Sequence, residues 1–251
     1  MDSGLYAAYT GLLARTQALD TASNNLANAS TNGFRAQRDY FRGVLASGLT
    51  DDQQGSQVGE SVNGFGVLGG SMPDLGQGTL VHTANPLDLA LSGQGFFAIQ
   101  TSHGVRYTRD GSFTRSPAGM LQTSAGEPVL DDKGKAITLP SGAVQVSSDG
   151  TVSVQTDADS AVVARLGLFT FPVGTTLTPE GTNRFAAEAG VKPIAATAEV
   201  TQGSVENANM DSVQGSMQLI LVQRQAEMMQ KALSVFNNEF DKTAVEEISR
   251  V

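Results

Sequence analysis

Both ends of the chain carry apolar residues at helical spacing. At the amino end the apolar positions recur at seven-residue steps, with one aromatic residue between them: Leu5, Tyr9, Leu12, Leu19 and Leu26. This spacing is typical of an amphipathic helix with a narrow apolar face. We predict one helix over residues 3–28, because a run of Asn, Ser, Thr and Gly follows and ends it.

The carboxyl end carries a second stripe of the same kind. Its members are Val213, Met217, Leu221, Met228 and Val235. We predict a helix over residues 210–249, with Asn209 or Asp211 as the capping residue. A helix with so narrow an apolar face has to pack against another helix, in the same chain or in a second copy. The two stripes therefore favour assembly over catalysis.

Between the stripes the chain changes character twice. Residues 43–78 are rich in glycine with little periodicity, which predicts extended chain with one short strand near residues 62–68. From residue 79 to about residue 200, short apolar runs alternate with turn dipeptides such as Asp110-Gly111, the pattern of an all-β domain. These runs predict, among others, strands at residues 129–130 and 136–139.

The sequence thus predicts an α+β protein. The long N- and C-terminal helices are expected to pair as a coiled-coil-like stalk, with a central all-β domain. The predicted divisions are an N-terminal helix (1–35), a glycine-rich extended linker (36–78), an all-β outer domain (79–204) and a C-terminal helix (205–251).

Composition and charge remove several classes of function. The formal net charge of −9 disfavours nucleic-acid binding. Arg35, Arg38 and Arg42 are interpreted as a solvated face or as members of local salt bridges. The chain has no cysteine, which excludes disulfides and thiolate metal ligands. We expect no membrane-spanning segment and no cleaved secretory signal, since no apolar run is long enough.

Candidate chemistry is sparse. No glycine-rich phosphate loop and no Gly-x-Ser-x-Gly nucleophile turn occurs. The only histidines, His82 and His103, lie in β-type context about twenty residues apart. Adjacent carboxylates such as Asp131-Asp132 point to different sides of a strand or loop, so they do not form a facing acid–base pair. We therefore expect no enzyme activity, no metal and no cofactor.

Three stretches together resemble a known family. Residues 24–35 read Asn-Asn-Leu-Ala-Asn-Ala-Ser-Thr-Asn-Gly-Phe-Arg, residues 85–97 and 107–113 contain Asn-Pro-Leu-Asp-Leu-Ala, Gly-Gln-Gly-Phe-Phe and Tyr-Thr-Arg-Asp-Gly-Ser-Phe, and residues 205–210 read Val-Glu-Asn-Ala-Asn-Met. These stretches resemble the bacterial flagellar axial proteins, the rod and hook family. They touch both ends and the middle, so the resemblance covers essentially the whole chain.

Within that family the chain is more similar to the proximal rod proteins than to the distal rod proteins. Residues 33–37 and 224–231 carry this similarity. The last helix of distal rod proteins usually contains Gln-Arg-Ala-Tyr-Glu, whereas residues 223–227 here read Gln-Arg-Gln-Ala-Glu. The length suits a rod protein and is short for a hook protein.

The resemblance implies a structural subunit of the flagellar basal body. Such a chain passes unfolded through the flagellar type III export apparatus and polymerises with other rod and hook subunits in the cell envelope, through terminal helices that fold on assembly. The expected assembly surface comprises Leu5, Tyr9, Leu12, Leu19, Leu26, Asn28, Phe34, Val213, Met217, Leu221, Met228 and Val235.

Two alternatives stay open at this point. The helices could close an ordinary monomeric hairpin, in which case the stripes would pack only within one chain. The β-domain could instead bind a ligand such as a glycan on an oligomerising helical stalk. Phe96, Phe97 and Tyr107 form the only dense aromatic cluster that could serve such a site.

Overall fold

The computed structural model describes residues 2–42, 67–156 and 160–248. The fold is α+β, with a central β-rich domain and a helix near each end. Helix α1 spans Asp2–Ala27 and helix α2 spans Ser212–Ile248. The strands are β1 Gln37–Arg42, β2 Val67–Pro73, β3 Leu80–His82, β4 Leu89–Ser92, β5 Phe96–Thr101, β6 Gly104–Thr108, β7 Thr114–Arg115, β8 Leu121–Gln122, β9 Ala143–Val146, β10 Thr151–Gln155, β11 Ser160–Arg165, β12 Leu168–Thr170, β13 Leu177–Glu180, β14 Arg184–Ala187, β15 Ile194–Ala195, β16 Glu199–Gln202 and β17 Ser204–Glu206.

Contacts divide the chain into two compact units. The helical unit comprises the described residues within Met1–Leu26, Gln37–Met72 and Ser212–Val251. The β unit comprises Ala27–Ala36 and the described residues within Pro73–Asp211. The last residue of α1 and the nine residues that follow it therefore belong to the β unit, although sequence from the helical unit precedes and follows them.

The β unit is built on a six-stranded antiparallel sheet. Its strand order is β13-β14-β6-β5-β12-β15, and a three-stranded sheet has the order β11-β10-β9. The pairs β16-β4, β17-β3 and β7-β8 complete the described strands of this unit. Strand β5 is buried along most of its length, and Phe97 meets Phe113 edge-on at 5.1 Å between ring centroids. Successive side chains of β5 join two different buried clusters, Phe97 and Ile99 one and Phe96 and Ala98 the other, so both faces of this strand are covered.

Two predicted strands lack a regular ladder. Val129 and Leu130, like Ile137 and Leu139, are buried, but their segments make only isolated β-bridges such as Ile99 with Val129. The prediction that residues 129–130 and 136–139 form regular strands was therefore wrong, although their apolar side chains are buried as expected of core strands. Short apolar runs report a buried side chain, and they do not report whether the backbone forms a ladder.

The C-terminal helix begins later than the predicted division at residue 205. Residues 204–206 instead form β17, in which Val205 pairs with Val81 of β3. The helix starts at Ser212, near the capping positions that the sequence offered. Backbone pairing with β3 holds this stretch extended, so it cannot enter the helix.

The helical unit contains α1, α2 and a two-stranded sheet of β1 and β2. The side chain of Asn25 holds the start of this sheet, since its Nδ2 donates to Gln37 O and its Oδ1 accepts from Gln37 N, both at 2.8 Å. Thr21 Oγ1 donates to Asp39 Oδ1 at 2.8 Å. The described parts of the predicted linker therefore include paired strands, and most of the strand predicted near residues 62–68 lies outside the described residues.

Small side chains form the buried face of α1. Ala14, Ala18 and Ala22 are buried, whereas Leu13 is 60% exposed. Helix α2 buries Val222, Ala226 and Leu233. Among the described residues, no helix is both long enough and apolar enough to cross a bilayer.

Candidate functional site

The segment that follows α1 turns sharply into the β unit. Thr31 N donates to Asn28 O at 2.9 Å, and Phe34 N donates to Thr31 O at 3.3 Å. The backbone of Gly33 has a φ of 68°, in the left-handed region that glycine adopts without strain. This turn delivers Phe34 and Arg35 into the interior, where their exposed fractions are 2% each.

Gly33 lies directly against the chain that follows β6. A Cβ at this position would lie 2.2 Å from Asp110 N, which no side chain can accommodate. Gly33 N donates to Glu206 O at 2.7 Å, and Asn32 Nδ2 donates to Ser112 Oγ at 2.9 Å. The close approach and the positive φ both require glycine here.

Arg35 reaches a buried carboxylate that it shares with a second arginine. Arg35 Nη2 lies 2.5 Å from Glu206 Oε1, and Arg109 Nη1 lies 3.0 Å from Glu206 Oε2. Gly78 N also donates to Glu206 Oε1, at 2.7 Å. The side chains of Arg35 and Glu206 have no exposed surface, and that of Arg109 is 4% exposed. We call Arg35, Glu206 and Arg109 the ion cluster.

The ion cluster carries two positive charges and one negative charge. Burial lowers the pKa of the Arg109 guanidinium, Glu206 opposes that shift, and the nearby charge of Arg35 adds to it. Backbone carbonyls supply further acceptors, since Arg109 Nη2 donates to Gly93 O at 2.6 Å and Arg35 Nη1 donates to Phe34 O at 3.3 Å. Within the described part of the chain, the Nε atoms of both arginines have no hydrogen-bond partner. Glu206 is the carboxylate that pairs with both buried arginines, and desolvation of these charges is energetically costly.

The ion cluster brings together the three stretches that carry the family resemblance. Arg35 ends the first stretch, Arg109 lies in the second and Glu206 lies in the third. The interpretation of Arg35 as a solvated or locally paired residue was wrong, because it pairs with a residue 171 positions away. Its partner Glu206 lies on β17, a strand that the sequence did not predict. The pattern of charges along the sequence therefore gave no signal for this pair.

Six of the twelve predicted assembly residues lie on exposed surface. Tyr9 of α1 is 50% exposed, and the α2 residues are more than half exposed: Val213, Met217, Leu221, Met228 and Val235. Leu12, Leu19 and Leu26 are half-buried, and the side chain of Leu5 lies outside the described residues. Asn28 is half-buried in the turn after α1. Phe34 is buried inside the β unit, which removes it from the expected assembly surface.

The residues considered for chemistry lie apart. His82 is in β3, and His103 is in the turn between β5 and β6, where its Nδ1 lies 3.4 Å from Glu180 Oε1. In residues 2–42, 67–156 and 160–248, no three acidic or histidine side chains gather in a way that could hold a metal ion. Phe96, Phe97 and Tyr107 are each less than one-tenth exposed, so this aromatic cluster belongs to the core.

Two family models match the chain. The model described as flagella basal body rod protein matches residues 5–35, and the model described as flagellar hook protein FlgE/F/G D1 domain matches residues 90–154. The first match ends at Arg35 and the second includes Arg109. The matches therefore cover α1 with its turn and the core of the β unit.

Full-length relatives agree with these matches. The flagellar basal-body rod protein FlgF of Caulobacter vibrioides is 34% identical over 254 residues, which is 100% of each chain. FlgF of Escherichia coli is 34% identical over 244 residues, 91% of this chain and 93% of the relative. The flagellar basal-body rod protein FlgG of Bacillus subtilis is 30% identical over 240 residues, 88% of this chain and 89% of the relative. The chain belongs to the family of flagellar basal-body rod proteins.

Proposed function

We propose that this protein is a structural subunit of the flagellar basal-body rod, of the proximal FlgF type, and that it polymerises through its terminal helices. One observation carries the proposal: the α2 side chains Met217, Leu221 and Met228 are 66%, 57% and 62% exposed. Large apolar side chains at helical spacing on an exposed face mark a surface that another chain covers.

The two helices are proposed to pair within the subunit through their small residues. Gly11 of α1 lies beside Met229 of α2, since a Cβ on Gly11 would be 3.4 Å from Met229 Cε. The buried alanines of α1 allow such close approach along one face. This pairing leaves the large apolar residues free to contact neighbouring rod and hook subunits, as a coiled-coil-like stalk requires.

Location and export are part of the same proposal. A rod subunit acts in the cell envelope, at the flagellar basal body, after passing through the flagellar export apparatus. The relatives that support this assignment are named as rod proteins, and no cofactor or catalytic step enters it. The role is mechanical, so its critical residues are those that contact other subunits or hold the subunit together.

The test separates the helix surface from the rest of the molecule. We would replace Met217, Leu221 and Met228 by Gln in the full chain. As the matched control we would replace Val105, Val162 and Ile194 of the β unit, which are 41%, 71% and 51% exposed, by Gln. Each variant would be expressed in cells that lack the parent gene, and isolated basal bodies would be probed for it.

We expect the control to be incorporated into basal bodies and to restore swimming, and the α2 variant to fail in both. Urea unfolding of the purified chains should give similar free energies, because exposed substitutions change stability by about 0.5 kcal/mol or less. Incorporation of the α2 variant at the level of the control would contradict the proposal. Incorporation of the control variant at the distal rod position would instead favour the distal FlgG type, since FlgG of Bacillus subtilis is also similar to this chain.

A ligand-binding β-domain is the weaker candidate. The aromatic residues that would serve it are core residues: Phe96 packs edge-on against Phe185 at 5.6 Å, and Tyr107 packs against Phe171 at 4.8 Å between ring centroids. A glycan site needs such rings on the surface. A glycan-binding screen with the full chain would test it, and we expect no specific binding.

A further inference from the structure

The side chain of Asn209 joins three separate segments of the β unit. Its Oδ1 accepts a hydrogen bond from Ala36 N at 2.8 Å. Its Nδ2 donates to Asp74 O at 2.8 Å and to Gly76 O at 3.1 Å. The backbone N of Asn209 also donates to Phe34 O, at 3.3 Å. One side-chain amide thus uses its acceptor on one segment and its donors on another.

Each of these segments lies where the chain passes from one unit to the other. Ala36 is the last β-unit residue before β1 of the helical unit, and Asp74 lies two positions after Met72, the last helical-unit residue of β2. Asn209 itself lies three positions before Ser212, where α2 begins. Asp74 N also donates a hydrogen bond directly to Ala36 O, at 2.8 Å, and so joins the other two segments to each other.

Only asparagine suits this position among side chains of its size. The amide offers an acceptor and two donors from one planar group. An aspartate would keep the acceptor for Ala36 N but would place a carboxylate oxygen beside the carbonyl oxygens of Asp74 and Gly76. A serine is shorter and would offer one donor. The requirement is for the amide chemistry, and not only for a polar residue.

We propose that Asn209 is a positioning residue that fastens the three connecting segments to one another on the β-unit side. Strands β1 and β2 and helix α2 then continue from a single anchored point. This inference rests on the proposed function in one respect: a rod subunit transmits force, and some of that force is carried along these three stretches of chain. The bonds to Asn209 prevent the three segments from moving separately.

The test follows amide hydrogen exchange in the full-length chain by two-dimensional NMR. Asn209→Ala removes both halves of the interaction, and Asn209→Asp removes only the donor half. The matched control is Asn207→Asp, because Asn207 is exposed and only two positions away, and the change adds the same charge. The amide of Ile99, which has no exposed surface, reports on the core of the β unit.

In Asn209→Ala we expect the amide of Ala36, which loses its acceptor, to exchange about tenfold faster, the effect of losing a typical hydrogen bond. The amide of Asp74 keeps Ala36 O as its acceptor, and we expect it to exchange faster as well, because its segment is no longer held by the bonds from Asn209 Nδ2. In Asn209→Asp we expect the amide of Asp74 to exchange faster, because its segment loses the bonds from Asn209 Nδ2 to Asp74 O and Gly76 O. The amide of Ala36 keeps its acceptor and should keep most of its protection. Ile99 should stay unchanged in every variant, and Asn207→Asp should match the parent chain at all three amides.

Two results would overturn the proposal. In the first, Asn209→Asp behaves like Asn207→Asp, which would mean that the bonds from Asn209 Nδ2 to Asp74 O and Gly76 O do not hold that segment. In the second, Ile99 loses protection together with Ala36 and Asp74, so that Asn209 supports the whole unit and does not position its connections. Neither result involves rod assembly, so a failure here is distinct from a failure of the α2 variant to enter basal bodies.

Discussion

Arg35 and Glu206, which are 171 positions apart in the chain, form an ion pair at 2.5 Å with neither side chain exposed. Arg35 follows the turn after α1, and Glu206 is the last residue of β17, shortly before α2. The pair therefore holds together two parts of the β unit that come from opposite ends of the sequence. Its strength depends on Arg109, which shares the same carboxylate at 3.0 Å.

Replacing Glu206 by Gln should be strongly destabilising. The amide has nearly the same size but no charge, so Arg35 and Arg109 would face each other in the interior without a counter-charge. We expect a loss of about 3–5 kcal/mol in the free energy of unfolding, as for other buried pairs that lose one partner. Urea denaturation of the purified chain measures it, with Glu199→Gln on the exposed side of β16 as the control.

Replacing Arg35 by Met should cost less than replacing Glu206 by Gln. Arg109 would remain paired one-to-one with Glu206, and the apolar side chain would occupy the volume of the lost arginine. Replacement of buried ionic groups by well-packed apolar residues is often close to neutral when no charge is left without a partner. Equal losses in the two variants would show that the excess positive charge does not govern the stability of the ion cluster.

Replacing Gly33 by Ala tests the close approach of the turn to the chain after β6. Its Cβ would lie 2.2 Å from Asp110 N, and its φ is 68°. We expect a loss of about 3 kcal/mol or more, from the left-handed backbone and the displaced neighbour together. Gly126→Ala is the matched control, because its φ is 84° and nothing lies within 4 Å of the added Cβ. That variant should lose only about 1 kcal/mol.

Replacing Phe34 by Ala distinguishes a core residue from an assembly residue. Because Phe34 is 2% exposed, truncation leaves a cavity, and the purified monomer should lose about 3–5 kcal/mol. Tyr9→Ala, at a position that is 50% exposed, should cost less than about 1 kcal/mol. Calorimetry or urea unfolding of each chain checks the difference. A small loss at Phe34 would return it to the proposed assembly surface.

The helices were the part of the fold that the sequence predicted best. Seven-residue apolar spacing located both, within a few residues of Asp2–Ala27 and Ser212–Ile248. It did not identify their buried faces. Ala14, Ala18 and Ala22 are buried, while Met217 and Leu221 are exposed. Periodicity reports an apolar face, and which face packs within the chain depends on how closely small residues allow another element to approach.

The ion cluster could not be predicted from spacing. Glu206 lies in a stretch assigned to the C-terminal helix, and its place in β17 depends on backbone pairing with Leu80 of β3. Arg35 has acidic and basic neighbours in the sequence, none of which is its partner in the cluster. Long-range antiparallel pairing brings the three charges together, and a single sequence carries no signal of that register.

Glu180 should make the stability of the β unit depend on pH. The hydrogen bond from Arg106 of β6 is the largest of the effects that lower the pKa of this carboxyl in β13, and the charges of Arg106, His103 and Arg184 add to it. A carboxyl with a lowered pKa stabilises the fold above its unfolded-state pKa, and that stabilisation is lost as the pH falls through the folded-state value. The parent chain should therefore be more stable than Glu180→Gln near neutral pH, and the difference should shrink below about pH 4.3, the ordinary pKa of a glutamate. Urea unfolding of both chains between about pH 3 and pH 7 measures this difference.

The control is the same comparison in chains that also carry Arg106→Gln, where most of the pH dependence should disappear. If the pH dependence persists there, the hydrogen bond from Arg106 is not its main source.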